Sequence, residues 1–314
     1  MVFRRLVTSL ALVLVLVSAP AHADKRVALS FDDIPRQKGA FLTPDERTEK
    51  IISALREAGV EQAVFFINPG RIETEDGADG EAHIAAYVTA GHVIADHSFS
   101  HRHLSKSTAD EYLADIDRAE QWLSGRAGYR PWYRFPYLDE GADDKEKRDA
   151  VRAGLAARGL RNGYVTADGT DWHLEELTVR AKADGLSMNM ERLRRLYVAS
   201  QMGGLEYHDQ LARDALGRSP AHVMLLHETD LAALFLPDLI AEMRKQGWTI
   251  ISADEAYRDP IGEEQPDVPY SWGTLVGSMA WQRDVKPPLY PQWMTTAMIT
   301  HQFETRVVDK PKQP

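Results

Sequence analysis

Not one cysteine occurs in the 314 residues. The chain therefore has no disulfide, no thiolate metal site and no thiol for lipid attachment, and its stability has to come from a packed core and from what its other ligand types bind. Long apolar runs are scarce as well. The most apolar stretch, residues 6–17, is twelve residues long, short against the ~20 that a spanning helix needs. It follows Arg4 and Arg5 and precedes the small-residue site Ala21-His22-Ala23. That order is the pattern of an export signal, so residues 1–23 are expected to be removed and the mature chain to start at Asp24, periplasmic or secreted, with no stable membrane insertion. Positive charge is also in deficit. Two of the 37 lysines and arginines, Arg4 and Arg5, lie in the signal, leaving 35 against 47 aspartates and glutamates and a formal net charge of −12 for the mature chain. That balance disfavours nucleic acid and anionic membrane surfaces as partners.

With 44% hydrophobic residues the chain can bury one large core or two ordinary ones, which accommodates one α/β barrel of roughly 200–250 residues and an extension. Seven short apolar segments read as strands: 26–31, 63–67, 92–95, 131–135, 162–166, 222–226 and 249–252. Helical patterns separate most of them. The clearest opens at Thr43-Pro44-Asp45-Glu46, with a threonine cap, proline at the first helical position and glutamate three residues after the cap, and it stops at Gly59. Gly91 and Gly247 mark further helix ends. Residues 188–216 read as one or two helices in which Met188, Met190, Leu193, Leu196 and Met202 pack inward. Alternating strands and helices argue for a mostly parallel sheet, open or closed. From Asp259 onward prolines are frequent and periodicity fades, so 259–314 is expected to be an irregular extension after a domain spanning 24–258. Its tryptophans Trp272, Trp281 and Trp293 are expected to pin it to the domain rather than to stack on sugars.

The reactive residues fall at strand ends. Asp32 and Asp33 follow the first strand, His97 the third, Arg134 ends the fourth, Asp168 and Asp171 follow the fifth, and His227 the sixth. In a βα barrel the C-terminal ends of the strands converge, so these residues are expected to meet. One aspartate and two histidines make a donor set suited to Zn²⁺ or a similar divalent ion, and a spare carboxylate beside them is where a general base for hydrolysis would be needed. Alone, an Asp-Asp pair is most often a turn and an H-x-x-x-H a surface coincidence.

Taken in order, S-F-D-D (30–33), H-S-F-S-H (97–101), R-F-P-Y (134–137), D-G-T-D-W (168–172) and L-L-H (225–227) resemble the five motifs of the NodB-homology polysaccharide deacetylases, carbohydrate esterase family 4. The resemblance implies a distorted (β/α)7 barrel and a metal-dependent hydrolase removing N-acetyl groups, or O-acetyl groups, from a carbohydrate or cell-envelope glycan. It implies that Asp33, His97 and His101 hold the metal, Zn²⁺ first, with Co²⁺, Ni²⁺ or Mn²⁺ as alternatives; the two histidines would share a face if their segment is a helical turn. It implies that Asp32 takes a proton from the attacking water, that the Tyr137 backbone N–H helps hold the oxyanion, and that His227 protonates the leaving amine. Arg134 would orient Asp32, Asp171 would hold His227, and Trp172 and Leu225 would line the acetyl pocket. Asp168 receives no role. His103 and His173 adjoin motifs and are expected near the site; His83, His92, His208, His222 and His301 are expected to be structural or solvated. Where the family often has glycine after the two aspartates, this chain has Ile34, which is expected to narrow the mouth of the site. Two other functions remain open: an amidohydrolase or deformylase for a small non-carbohydrate amide, and an inactive glycan-binding protein. The oligomeric state is not legible.

Overall fold

A strand buried on both sides organises the molecule. In the computed structural model, which describes residues 25–77 and 79–309, β1 (Arg26–Ile34) turns Val27, Leu29 and Phe31 into one apolar cluster and Ala28 into another. Ser30 and Asp32 alternate onto the side of Ala28. It pairs in parallel with β8 (Ala221–His227) along most of its length, with β2 (Val64–Ile67) over its C-terminal half, and with β9 (Thr249–Ile250) at its start. Adding β3 (Val93–Asp96), β4 (Tyr129–Tyr133), β6 (Arg161–Asn162) and β7 (Ala167–Asp168) gives the order β6-β4-β3-β2-β1-β8-β7, parallel throughout. The strand expected over 162–166 is split. Asn162 belongs to β6 on β4, the two residues after the segment form β7 on β8, and 163–166 crosses between the two ends of the sheet. Gly163 N donates to Tyr133 O at 2.6 Å and Thr166 N to Val223 O at 3.1 Å. A parallel sheet curled into a half-barrel with helices outside results, matching the distorted (β/α)7 barrel expected.

The helices are α1 (Pro44–Glu57), α2 (Gly80–Thr89), α3 (Ala109–Leu123), α4 (Lys145–Ala157), α5 (Asp171–Ala183), α6 (Met190–Leu216), α7 (Asp230–Lys245) and the short α8 (Ala253–Ala256). The Thr43–Glu46 capping box forms as expected. Residues 190–216 make one helix of 27 residues, burying Leu193, Leu196 and Met202 but leaving Met190 exposed. Gly204 in its middle is required: a Cβ there would lie 2.1 Å from Asp168 O, so α6 can press against the β7 loop only because the side chain is missing. The expected export signal lies outside the described residues, and among the described ones no helix is long and apolar enough to cross a membrane.

The C-terminal segment is more ordered than expected. It contains β10 (Ser271–Trp272), antiparallel to β5 (Asp139–Ala142), and the helices α9 (Leu275–Gln282) and α10 (Thr296–Gln302). What pins it is mostly aliphatic, with one aromatic ring: Leu275, Val276, Met279 and Ala280 enter one core cluster, and Ile299, Phe303 and Val307 the other. Trp272, Trp281 and Trp293 instead stay exposed. Fully buried Arg47 on α1 fixes the chain that leaves β1. Its guanidinium donates to Arg36 O (2.6 Å) and Gln37 O (3.0 Å) and faces Asp230 (3.2 Å) and Glu228 (3.6 Å). Arg47→Ala would strand two buried carboxylates, so it should lower the unfolding free energy by about 3–5 kcal/mol in urea titrations. A loss below about 1 kcal/mol would show that this ion pair does not hold the loop.

Candidate active site

Asp32 and Asp33 lie within β1 rather than after it. Consecutive strand residues point to opposite faces. Here the register against β2 shifts between Phe31 and Ile34, and Asp33 adopts φ 75°. This bulge turns Asp33 back toward the face of Asp32, so that His97 Nε2 lies 3.6 Å from Asp32 Oδ2 and 3.7 Å from Asp33 Oδ1. Alternation then resumes and sends Ile34, fully buried, into the helix-side core. The expectation that Ile34 narrows the mouth is therefore wrong: its side chain never reaches the cavity.

Asp33, His97 and His101 offer donor atoms that all lie within 4.8 Å of one another. The histidines are not on a helical turn, as their spacing suggested. They sit on a loop with Ser98 at φ 66° and His101 at φ 55°, which brings the rings to 4.9 Å centroid to centroid. Buried Asn68 holds that loop by donating to His97 O and Ser98 O. His97 Nδ1 donates to Arg134 O at 2.9 Å, which leaves the Nε2 lone pair facing the cluster. Burial, then the neighbouring His101, keeps His97 well below its ordinary pKa and so neutral. Burial opposes ionisation of Asp33, but Arg71, His101 and Arg36 outweigh it and hold its carboxyl well below the usual carboxylate range. Asp33 Oδ1 lies 2.9 Å from His101 Nε2, yet the two are not aligned as a hydrogen bond, and this buried oxygen has no hydrogen-bond partner. Converging nitrogen and oxygen donors that do not satisfy one another fit a divalent cation.

The other carboxylate is held differently. Arg134 Nη1 donates to Asp32 Oδ1 at 2.6 Å and to Ser30 Oγ at 2.9 Å. The rest of the buried guanidinium is tied to Gly163 O, Tyr164 O and the Tyr257 hydroxyl, over the face of Phe66. Burial raises the Asp32 carboxyl above its ordinary value and the Asp33 charge adds to this, while Arg134 and His227 pull it down. Across the ladder Asp32 pairs in register with His227. Asp171 accepts from both the backbone N–H (2.7 Å) and Nδ1 (2.8 Å) of His227, so Nε2 is the nitrogen left for chemistry. Burial alone would lower the His227 pKa, but Asp171, with smaller help from Asp33 and Asp32, pushes it up to about 9.

These groups open onto one cavity of about 530 Å³ that Trp172, Leu225, Tyr137, Asp168, Glu176, Arg36, Arg71 and Trp272 also line. Tyr137 has φ 60° and stacks on His103 at 3.6 Å, so His103 adjoins the site as expected. His173 does not; it faces Thr300 of α10 at 2.8 Å. His83, His92, His208 and His222 are buried and His301 is exposed.

The sequence profile described as polysaccharide deacetylase matches residues 19–157, which take in the first three of the five segments. The chain is 33% identical over 112 residues to a peptidoglycan-N-acetylglucosamine deacetylase of Bacillus cereus, covering 35% of this chain and 36% of that protein. It is 22% identical over 250 residues to a peptidoglycan-N-acetylglucosamine deacetylase of Listeria monocytogenes, covering 77% of this chain and 41% of that one. Over residues 19–157 this chain is similar to the polysaccharide deacetylases. It spans well under half the length of the curated relatives it matches. Among solved structures, a mutant carbohydrate esterase family 4 pseudoenzyme superposes with a TM-score of 0.51 at 17% identity, over 74% of this chain and 67% of that one. The wild-type pseudoenzyme from Bacillus anthracis gives 0.50 at 15%, over 74% and 65%. These likenesses concern the fold.

Against the family's motifs, the sequence reading missed four contributors. Arg36 donates to Asp33 Oδ2 at 2.7 Å, and Arg71 to the Asp33 carbonyl at 2.9 Å. Asn68 and Tyr257 brace His97 and Arg134 from behind. Only Arg36, three residues from Asp33 in a short loop, carried a local signal. If the three donors form the metal centre, calorimetric titration of the metal-free protein with Zn²⁺ should give one ion per chain. His97→Ala, His101→Ala or Asp33→Asn should weaken it by at least about 100-fold, and Asp32→Asn and His83→Ala should not. Retained affinity in both histidine variants would place the ion elsewhere.

Proposed function

We propose that this protein is an exported, metal-dependent deacetylase that hydrolyses N-acetyl groups on a cell-envelope glycan. The observation that carries the reading is that a three-donor cation cluster, an arginine-locked carboxylate and a carboxylate-held imidazole face one cavity at the C-terminal ends of the strands. The curated relatives, both peptidoglycan-N-acetylglucosamine deacetylases, support a glycan as substrate class.

Asp33, His97 and His101 would hold a divalent ion, which would supply Lewis acidity toward an acetyl carbonyl and water. Asp32, with one oxygen fixed by Arg134, accepts a proton from water as its oxygen attacks the carbonyl carbon. The Tyr137 backbone N–H helps to hold the oxygen on which negative charge develops. His227 then donates its Nε2 proton to the departing nitrogen, the C–N bond breaks, and acetate and a free amine result. Asp171 keeps His227 protonated for that step and fixes its orientation. Trp172 and Leu225 form the apolar wall against the acetyl methyl.

Metal-loaded protein should release acetate from peptidoglycan, chitooligosaccharides, poly-N-acetylglucosamine or acetylated xylan, and chelation should abolish the release. Absence of release from every one of them by the loaded protein would overturn the reading. Asp32→Asn and His227→Ala should each lower kcat by roughly 10²–10⁴-fold. Because the acid is needed protonated, kcat/KM should fall as pH rises through about 9, and the residual rate of His227→Ala should lack that fall. An unchanged alkaline limb in the variant would remove His227 from the role of acid.

A further inference from the structure

Among the described residues the large exposed aromatic rings come almost entirely from the C-terminal segment. Among the described residues the large exposed aromatics are Tyr137, in the catalytic cavity, and Tyr270, Trp272, Trp281, Tyr290 and Trp293, all from the C-terminal segment. Four of these five line a single groove of about 420 Å³, with Thr170, Ser278 and Thr295 among its polar groups. The groove adjoins the catalytic cavity, since Asp168, Trp272 and Gly273 belong to the walls of both. Rings also connect the two. Tyr270 stacks on Trp272 (6.3 Å, 10° between planes), Trp272 lies 5.7 Å from His103, and His103 stacks on Tyr137, whose ring is 4.5 Å from that of His101.

The groove is rigidly built. Ser271 and Trp272 pair with β5, and Gly273 N donates to Leu138 O at 3.0 Å. Arg148, itself buried, donates to Val268 O (2.8 Å) and Ser271 Oγ (3.0 Å), and Leu275 N donates to Val165 O (2.8 Å). Leaving several indole and phenol faces in water is unfavourable for a loop that could bury them, and contiguous exposed apolar surface of this kind marks a binding site. Flat apolar faces beside hydroxyl groups match a sugar ring, which presents C–H faces and an equatorial belt of hydroxyls.

We propose that the C-terminal segment forms the sugar-binding wall of an extended groove, so that the substrate is an oligosaccharide or polysaccharide reaching from the catalytic cavity across Trp272 toward Trp281 and Tyr290. The substrate class rests on the deacetylase reading, but occupancy of the groove does not require turnover. The test therefore separates the two. Binding of N-acetylglucosamine oligomers, dimer to hexamer, is measured by calorimetry on the metal-loaded Asp32→Asn protein, and acetate release on the wild type. The hexamer should bind at least about tenfold more tightly than the dimer, and Trp281→Ala or Tyr290→Ala should each remove most of that gain, with Trp281→Phe restoring part of it. Trp293→Ala, an exposed tryptophan outside the groove, should leave the gain intact. Equal affinity for dimer and hexamer, or a gain untouched by both groove substitutions, would overturn the proposal. Length-dependent binding through Trp281 and Tyr290 without acetate release by the wild type would uphold the groove and refute the deacetylase.

Discussion

Two neighbouring residues of a strand cannot ordinarily serve the same site, because the pleat sends their side chains to opposite faces, yet here both Asp32 and Asp33 face His97. The bulge between Phe31 and Ile34, with Asp33 in the left-handed region, resolves that conflict. Its consequences run through the whole centre. One carboxylate is left on the concave face against Arg134, the other joins the two histidines, and Ile34 returns to the core to anchor the distortion. Aspartate tolerates such a backbone better than most side chains, so the cost is modest.

The same device recurs around the cavity. Of the nine non-glycine residues with positive φ among the described residues, six (Asp33, Ser98, His101, Tyr137, Leu138 and Thr170) belong to the loops carrying the motif residues. That clustering shows strand-end loops bent against their local preference and kept there by surrounding contacts. Those contacts are identifiable: Asn68 on the histidine loop, Gly163 and Tyr257 on Arg134, Arg47 and Arg36 on the segment leaving β1, and α6 against the loop after Asp168. Two kinds of electrostatics follow. Asp33, beside Arg71 and Arg36, stays ionised. Asp32, deeper and beside another negative charge, becomes the more basic of the pair.

The sequence made the ends of the strands legible because the reactive side chains there are chemically distinctive and recur in order. The parallel arrangement followed from apolar segments bounded by helix caps and glycines, while the count of seven fell short of the eight strands of the main sheet. Backbone distortion was not legible. Ile34 was expected at the mouth because it stands where the family often has glycine, and a period-two pattern has no symbol for the bulge that turns it inward; nor does it separate one strand over 162–166 from the crossing found there. The i, i+4 spacing of His97 and His101 suggested a helical turn when the convergence comes from two left-handed residues. Arg71, Asn68 and Tyr257 act across long stretches of chain, and nothing near them in sequence marks a partner. The tryptophans after Asp259 were expected inside because aromatic rings are usually worth burying; here aliphatic residues of α9 and α10 anchor the segment and the rings stay in water.

The centre depends on the different employment of two adjacent carboxylates, and anomalous diffraction at the zinc edge from Zn²⁺-loaded crystals tests this directly. One peak is predicted, at roughly 2.0–2.2 Å from Asp33 Oδ1, His97 Nε2 and His101 Nε2, with Asp32 still paired to Arg134. A peak coordinated by Asp32 in place of Asp33, or one seated away from both histidines, would contradict it.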